Sequence, residues 1–446
     1  MHIMAAAAAT PSLSANAASS SSALGTLRPD PGRILDLPAG FSYSVVSRAG
    51  DEMVDGLRVP QAHDGMAAFA AADGRVILVC NHELEKSRLE ESAFDSDPAL
   101  LPEFVRNNMY DAGNGVTPLT GGTTTTLFNP ATGKTERQHL SLAGTENNCA
   151  GGKTPWGTWL SCEECFTGPG TAAGVHREKT HGYVFEVAAA AQGLANAQPI
   201  KALGRFEHEA AAVHAASGIV YLTEDQYHSL FYRFLPNVPG RLSAGGRLQA
   251  LAVTEQASLR THNWSSVADV RLGEELSVSW IDLDDVDSDT DDLRERGAKK
   301  GAAMFARGEG LCTGEDFLAF TCTIGGHARL GQVFTYLPSE FEGTAAEAQA
   351  PGKLVLTAEA DQTSLLRNAD NIVVSPWGDL VICEDTSSHC GLVGIDPNGV
   401  EYMLADNPYS GSELAGVCFS PDGQNLFVNI QYPGMTLAIT GPWPAA

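Results

Sequence analysis

One pattern constrains this chain more than any other. A run of alternating apolar residues, opened by a Gly or Asp turn and closed by a polar residue, recurs along most of its length. The runs are Gly74–Glu83 (GRVILVCNHE), Gly157–Glu164 (GTWLSCEE), Gly218–Asp225 (GIVYLTED), Asp316–Thr323 (DFLAFTCT), Gly378–Asp385 (GDLVICED) and Gly423–Gln431 (GQNLFVNIQ). Period-two alternation bounded by turn residues is the signature of a β-strand. Each run is preceded by a short segment that a polar residue leads into small or apolar ones. The leads are Asp64, Cys149, Glu209, Glu309, Asp370 and Glu413. A third strand follows several runs, as at His181–Val187, Leu230–Leu235 and Gly331–Leu337.

A lead strand followed by antiparallel partners, repeated six times, predicts an all-β six-bladed propeller. Irregular insertions would sit at one face: residues 84–120 and the acidic run Asp282–Asp292 carry no strand signal. A single propeller accommodates 446 residues, because each blade buries its faces against its neighbours. The expected organisation is a disordered Ala/Ser-rich lead-in over residues 1–27 and one catalytic domain over 28–446. A β-sandwich or a pair of stacked barrels is the alternative reading of the strands.

In a propeller the innermost strands line a central channel, so the six leads would converge near one end of its axis. Carboxylates crowded there cannot all ionise unless cations share the space. Oxygen ligands alone suit calcium or magnesium, while a thiolate among them suits iron or zinc. Composition agrees. The formal charge of −26 excludes a phosphate-backbone partner such as nucleic acid. An acidic chain that handles phosphate needs bound cations to invert the local field. No segment is apolar enough to span a membrane.

Several residues admit a plainer role. Cys149, in Asn147-Asn148-Cys149-Ala150-Gly151-Gly152, could be a buried core thiol. The nine cysteines include one CxxC, Cys162–Cys165, with no second pair to complete a zinc ribbon. The spacing Asp287-x-Asp289-x-Asp291 suggests an EF-hand, but Asp292 stands where its glycine belongs and Ala298 where its glutamate belongs. Trp156 and Trp159 read as packing aromatics, and His82, His208 and His214 as hydrogen-bonded structural histidines.

The stretch Asn148–Glu164, NCAGGKTPWGTWLSCEE, resembles the signature of the PhoX-type alkaline phosphatases. The resemblance runs from about Asp64 to Trp443. It includes NHE at 81–83, HEAAAVH at 208–214, RGEG at 307–310, DNI at 370–372 and the closing FSPDGQNLFVNIQYPG at 419–434. It implies a six-bladed propeller with an active site at the channel mouth and a mixed cluster of Fe3+ and Ca2+. By the same resemblance Cys149 is an iron ligand, Glu164 (or Glu163, one register away) and Glu209 are metal ligands, and Glu309 and Asp370 complete the oxygen set. Arg307 would bind substrate phosphate, with Glu209 beside it in catalysis, and Glu83 is carried over as a further ligand. Asp64 and Glu413 rest on the blade alignment alone.

The expected activity is hydrolysis of phosphoric monoesters, with diesters or nucleotides as further candidate substrates, by a monomer that engages neither nucleic acid nor membrane. A calcium-dependent lactonase-like propeller is the alternative, although such a site has no use for a thiolate or a phosphate-binding arginine. The chain is shorter than many family members, which leaves substrate contacts open. The family's twin-arginine signal is not among these residues, and the opening Met-His-Ile-Met resembles a cloning remnant. A periplasmic or extracellular location is expected from the resemblance.

Overall fold

A computed structural model describes residues 24–84, 88–94 and 97–445. Most of the expected lead-in, residues 1–23, lies outside them. Of the lead-in residues that are described, Leu24 is buried in the core, and Leu27 pairs with Pro38 where Leu27–Arg28 meets Leu37–Pro38.

The regular secondary structure of the described chain is nearly all strand, and its sheets take a propeller-like arrangement. The innermost strands are His63–Ala70, Asn148–Lys153, His208–Val213, Gly308–Thr313, Ala369–Val374 and Leu414–Phe419. Each packs against the next, and the last returns to the first, so they close a ring. Each is the edge of a sheet that runs outward antiparallel. Three of these sheets have four strands and one has three. The third and fourth groups are fused into a nine-stranded sheet by Glu275–Asp282, which pairs with both Gly246–Val253 and Lys353–Glu359.

The ring is fastened where the chain ends meet. The early strand Ser42–Arg48 pairs with Met435–Thr440 and completes the sheet of the last inner strand. A sheet so completed from both ends of the chain leaves no gap through which the ring could open.

Small residues let the inner strands approach. A Cβ on Gly65 would lie 2.5 Å from Ala150 Cα, on Gly310 2.6 Å from Asn371 Cα, and on Gly416 2.3 Å from Asp64 O. A backbone atom at those distances cannot move aside, so glycine is required at these crossings. Further along the same strands a channel cavity of about 340 Å³ is lined largely by glycine, alanine and valine.

Sequence reading missed helix Leu293–Lys300, which follows the acidic run. The run itself forms no calcium loop. Asp287 accepts from Tyr183 and Lys201, Asp291 pairs with Arg294, and Asp289 is exposed.

Candidate metal centre

All of the inner strands share one irregularity. Each carries a β-bulge against its neighbour, between His63 and Met66, Asn148 and Gly151, His208 and Ala211, Gly308 and Leu311, Ala369 and Ile372, and Ala415 and Cys418. A bulge breaks strict alternation and re-aims a side chain. In the first five strands the residue at this kink is Asp64, Cys149, Glu209, Glu309 or Asp370. Four strands are entered through a non-glycine residue in the left-handed region: Ala62 (φ 48°), Asn147 (φ 51°), Arg307 (φ 55°) and Asn368 (φ 45°). For alanine and arginine that conformation costs about 1–2 kcal/mol each. Such strain gathers where geometry serves a purpose.

A second set of positions joins the first. The residue just after each second strand is Glu83, Glu164, Asp225, Thr323, Asp385 or Gln431. The register sets these beside the inner-strand starts, since His63 pairs with His82, Asn148 with Glu163, His208 with Glu224 and Ala369 with Glu384.

The two sets, with Glu413, build three groups, in each of which the ligand atoms lie within 4.8 Å of one another: Cys149–Glu164–Glu209, Glu209–Glu309–Asp370, and Asp64–Glu83–Glu413. Glu209 belongs to two of them. The sequence-predicted residues Cys149, Glu164, Glu209, Glu309, Asp370 and Glu83 therefore do come together, and Asp64 and Glu413 join them.

Glu413 corrects the blade alignment. In register, Leu414 pairs with Ile430 as His63 pairs with His82, so Ala415 occupies the place of Asp64 and Glu209. Glu413 lies one residue before its strand, where the fourth strand has Arg307. The ring of leads thus holds four carboxylates and Cys149, and the sixth lead, Glu413, enters from a different position. Of Glu163 and Glu164, it is Glu164 whose carboxylate lies in the cluster. Neighbouring residues of a strand face opposite ways. Glu163 accepts from Glu146 N, His181 Nδ1, Gly182 N and Tyr183 N, away from the cluster.

Hydrogen bonds hold the acids in place. Gln431 Nε2 donates to Asp64 Oδ2 (3.0 Å) and Glu83 Oε2 (2.5 Å). Asn147 Nδ2 donates to Glu164 Oε2 (3.2 Å), Thr323 Oγ1 to Glu309 Oε1 (2.8 Å), and Asn371 Nδ2 to Asp370 Oδ1 (2.9 Å). Arg307 is gripped by an acid that sequence reading passed over. Its Nε and Nη2 donate to Asp225 Oδ1 and Oδ2 at 2.7 and 2.6 Å, and Nη2 lies 3.0 Å from Glu309 Oε1. Nη1 has no hydrogen-bond partner among the described residues. Asp225 and Asp385 were both visible as the polar ends of predicted strand runs, but an acid closing a strand is too common a signal to single out.

Electrostatics bear on what this arrangement could hold. Burial, followed by repulsion from neighbouring acids, pushes Glu83, Glu164, Glu209, Asp370 and Glu413 well above the usual carboxylate range. Glu309 is raised likewise, by burial and Asp225, with Arg307 pulling the other way. Burial, then Glu209 and Glu164, pushes the Cys149 thiol up as well. One guanidinium does not balance seven carboxylates. Metal cations would, and the donor set fits them: two groups are oxygen-only and one contains sulfur.

The histidines take structural roles. His82 bridges Gln61 O and Thr124 Oγ1, His208 Nε2 bonds Gly204 O while its ring stacks on Phe206, and His214 bonds Ser217. Trp159 Nε1 donates to Asn81 Oδ1 and Trp156 Nε1 to Glu186, which suits packing. Among the described residues all nine cysteines are free thiols, the CxxC pair included.

No curated protein matches the sequence. Among solved structures, Pseudomonas fluorescens PhoX in complex with vanadate, a transition state analogue, superposes with a TM-score of 0.68 at 19% identity, over 92% of this chain and 96% of that one. A gluconolactonase of Xanthomonas campestris gives a TM-score of 0.41 at 13% identity, over 94% and 98% of the two chains. A virginiamycin B lyase of Staphylococcus aureus gives 0.38 at 10%, over 90% and 99%. The profile of the family described as alkaline phosphatase PhoX matches residues 22–434. That span takes in every inner strand and every acid of the three groups, and the chain belongs to the alkaline phosphatase PhoX family.

Proposed function

We propose that this protein hydrolyses phosphoric monoesters at a mixed iron–calcium centre on the propeller axis. The observation that carries the reading is Glu209, which faces a sulfur-containing group on one side and an oxygen-only group on the other. Cys149, Glu164 and Glu209 would hold iron, since a thiolate favours the softer metal. Glu209, Glu309 and Asp370, and separately Asp64, Glu83 and Glu413, would hold calcium, which accepts carboxylate oxygens in flexible geometry. Bound there, the ions would supply Lewis-acid charge to the phosphoryl oxygens.

The chain's own contribution is positioning. Arg307, fixed through two donors by Asp225, keeps Nη1 for an equatorial phosphoryl oxygen. Its Nη2 also lies 3.0 Å from Glu309 Oε1, which keeps the guanidinium beside the acids. Gln431 and Thr323 keep the acids from turning away. A lactonase site would need neither the thiol nor a clamped arginine. The vanadate bound by Pseudomonas fluorescens PhoX supports a phosphate-like ligand here.

We further assign the protein to the periplasm or extracellular space, as a monomer acting on small phosphorylated molecules and not on nucleic acid or membrane. Among the described residues no helix is long and apolar enough to cross a membrane.

Elemental analysis of the purified protein, paired with phosphate release from a generic monoester, tests the centre. Wild type should carry iron and calcium and turn over; Cys149→Ala should lose iron and turnover. Full activity in that variant would sink the assignment of the thiol.

A further inference from the structure

Next to the metal centre lies a second, larger cavity. It has a volume of about 560 Å³, and its walls include Gln226, Tyr227, His228, Arg260, Arg294 and Lys299. Its wall begins one residue beyond Asp225, the acid that grips Arg307. Gln226 O accepts from Arg307 N at 3.0 Å, and Gln226 Nε2 donates to Glu207 Oε2 at 2.6 Å. The strand pairing of Ser229 with Phe305 ties the same loop to the segment that leads into Arg307.

This wall is unusual for so acidic a chain. Arg294 is paired with Glu224 and Asp291, and Lys299 with Glu295. Arg260 has no ion-pair partner among the described residues. Tyr227 is 61% exposed, so its ring is open to a ligand. Aromatic packing supports it from behind. Trp264 lies 6.5 Å from Tyr227 edge-on and 5.6 Å from His228, and stacks on His262 at 4.3 Å. Arg329 covers the Trp264 ring at 4.6 Å, and Trp264 Nε1 is anchored on Ile324 O.

We infer that this cavity is the leaving-group subsite, and that it selects phosphate monoesters of aromatic alcohols, above all those whose ring carries a negative charge. The inference rests on the phosphatase reading. With the phosphoryl group on Arg307, the esterified group extends past Gln226 into the cavity. There Tyr227 and His228 offer flat faces to a ring, and Arg260 offers an unpaired guanidinium to an anionic substituent.

The test compares kcat/KM for phenyl phosphate, 4-carboxyphenyl phosphate and glycerol 2-phosphate, using wild type, Tyr227→Ala and Arg260→Gln. Both side chains are exposed, so neither change removes core packing. In Tyr227→Ala the phenyl-to-glycerol ratio should fall about five-fold. In Arg260→Gln the carboxyphenyl-to-phenyl ratio should fall about three-fold while the phenyl-to-glycerol ratio holds. Ratios that match wild type in both variants would overturn the subsite and leave the phosphatase reading standing. A wild-type protein that hydrolyses none of the three esters would overturn both.

Discussion

The two ends of the inner strands are built from the same backbone to opposite purposes. At their starts, bulges and left-handed residues gather seven carboxylates and a thiol. Further along, the same strands line a channel with glycine, alanine and valine, and Lys153 spends its charge on Ala68 O at 2.7 Å. One end tolerates repulsion and strain because cations can offset them; the other has contact to optimise and little else. Stability and chemistry are thus separated along each strand by only a few residues.

Altering the acidic end should have the largest effect on turnover. Glu209→Gln removes the residue shared by two groups, and phosphate release should fall by at least about 10²-fold. Because the change also relieves crowding between buried acids, the thermal midpoint measured without added metal should rise or hold. A variant that kept both its activity and its metal content would dissolve the contrast.

The packing end should respond in the opposite sense. A Cβ on Gly152 would lie 2.1 Å from Ala211 O and 2.6 Å from Ala211 C, both on the neighbouring inner strand. Gly152→Val should cost roughly 3 kcal/mol by overpacking, read as a lower denaturant midpoint. Turnover per folded molecule should change little. If turnover collapsed while stability held, the two ends would not be separable.

The pH sensitivity sharpens the comparison at the border of the site. His181 is buried between Glu163 Oε1 (2.7 Å) and Asp111 Oδ2 (3.2 Å). Burial opposes its charge, but the two carboxylates outweigh it and raise its pKa to about 9. The folded value exceeds the unfolded one, so this ion pairing stabilises fully below about pH 6.5 and is lost as pH rises through about 9. His181→Gln should cost about 3 kcal/mol at pH 6, and the gap from wild type should narrow towards pH 10. Urea titrations at several pH values measure it, and a gap that stays constant with pH would show that His181 is neutral.

Much of this was legible in the residues. The predicted strand runs end on Glu83, Glu164, Asp225, Thr323, Asp385 and Gln431, the very positions that border the cluster. The NCAGG–CEE motif singled out Cys149 and Glu164. Asp225 went unnoticed because its role exists only through Arg307, which lies 82 residues away. Glu413 was aligned with the wrong position because bulges add residues that no alternating pattern reveals. The cavity wall that sets Tyr227 and His228 beside Arg260 joins distant loops and leaves no local trace.

By itself, then, the sequence determined the strand repeat, the family and the chemical types of the ligands, because alternation, turns and motifs are local properties. Only the tertiary structure decided which acids lie close enough to one another to share a cation, which of Glu163 and Glu164 turns inward, and what orients Arg307. Those depend on ring closure and on bulge-shifted register, which bring together side chains whose separation along the chain says nothing of their distance in space.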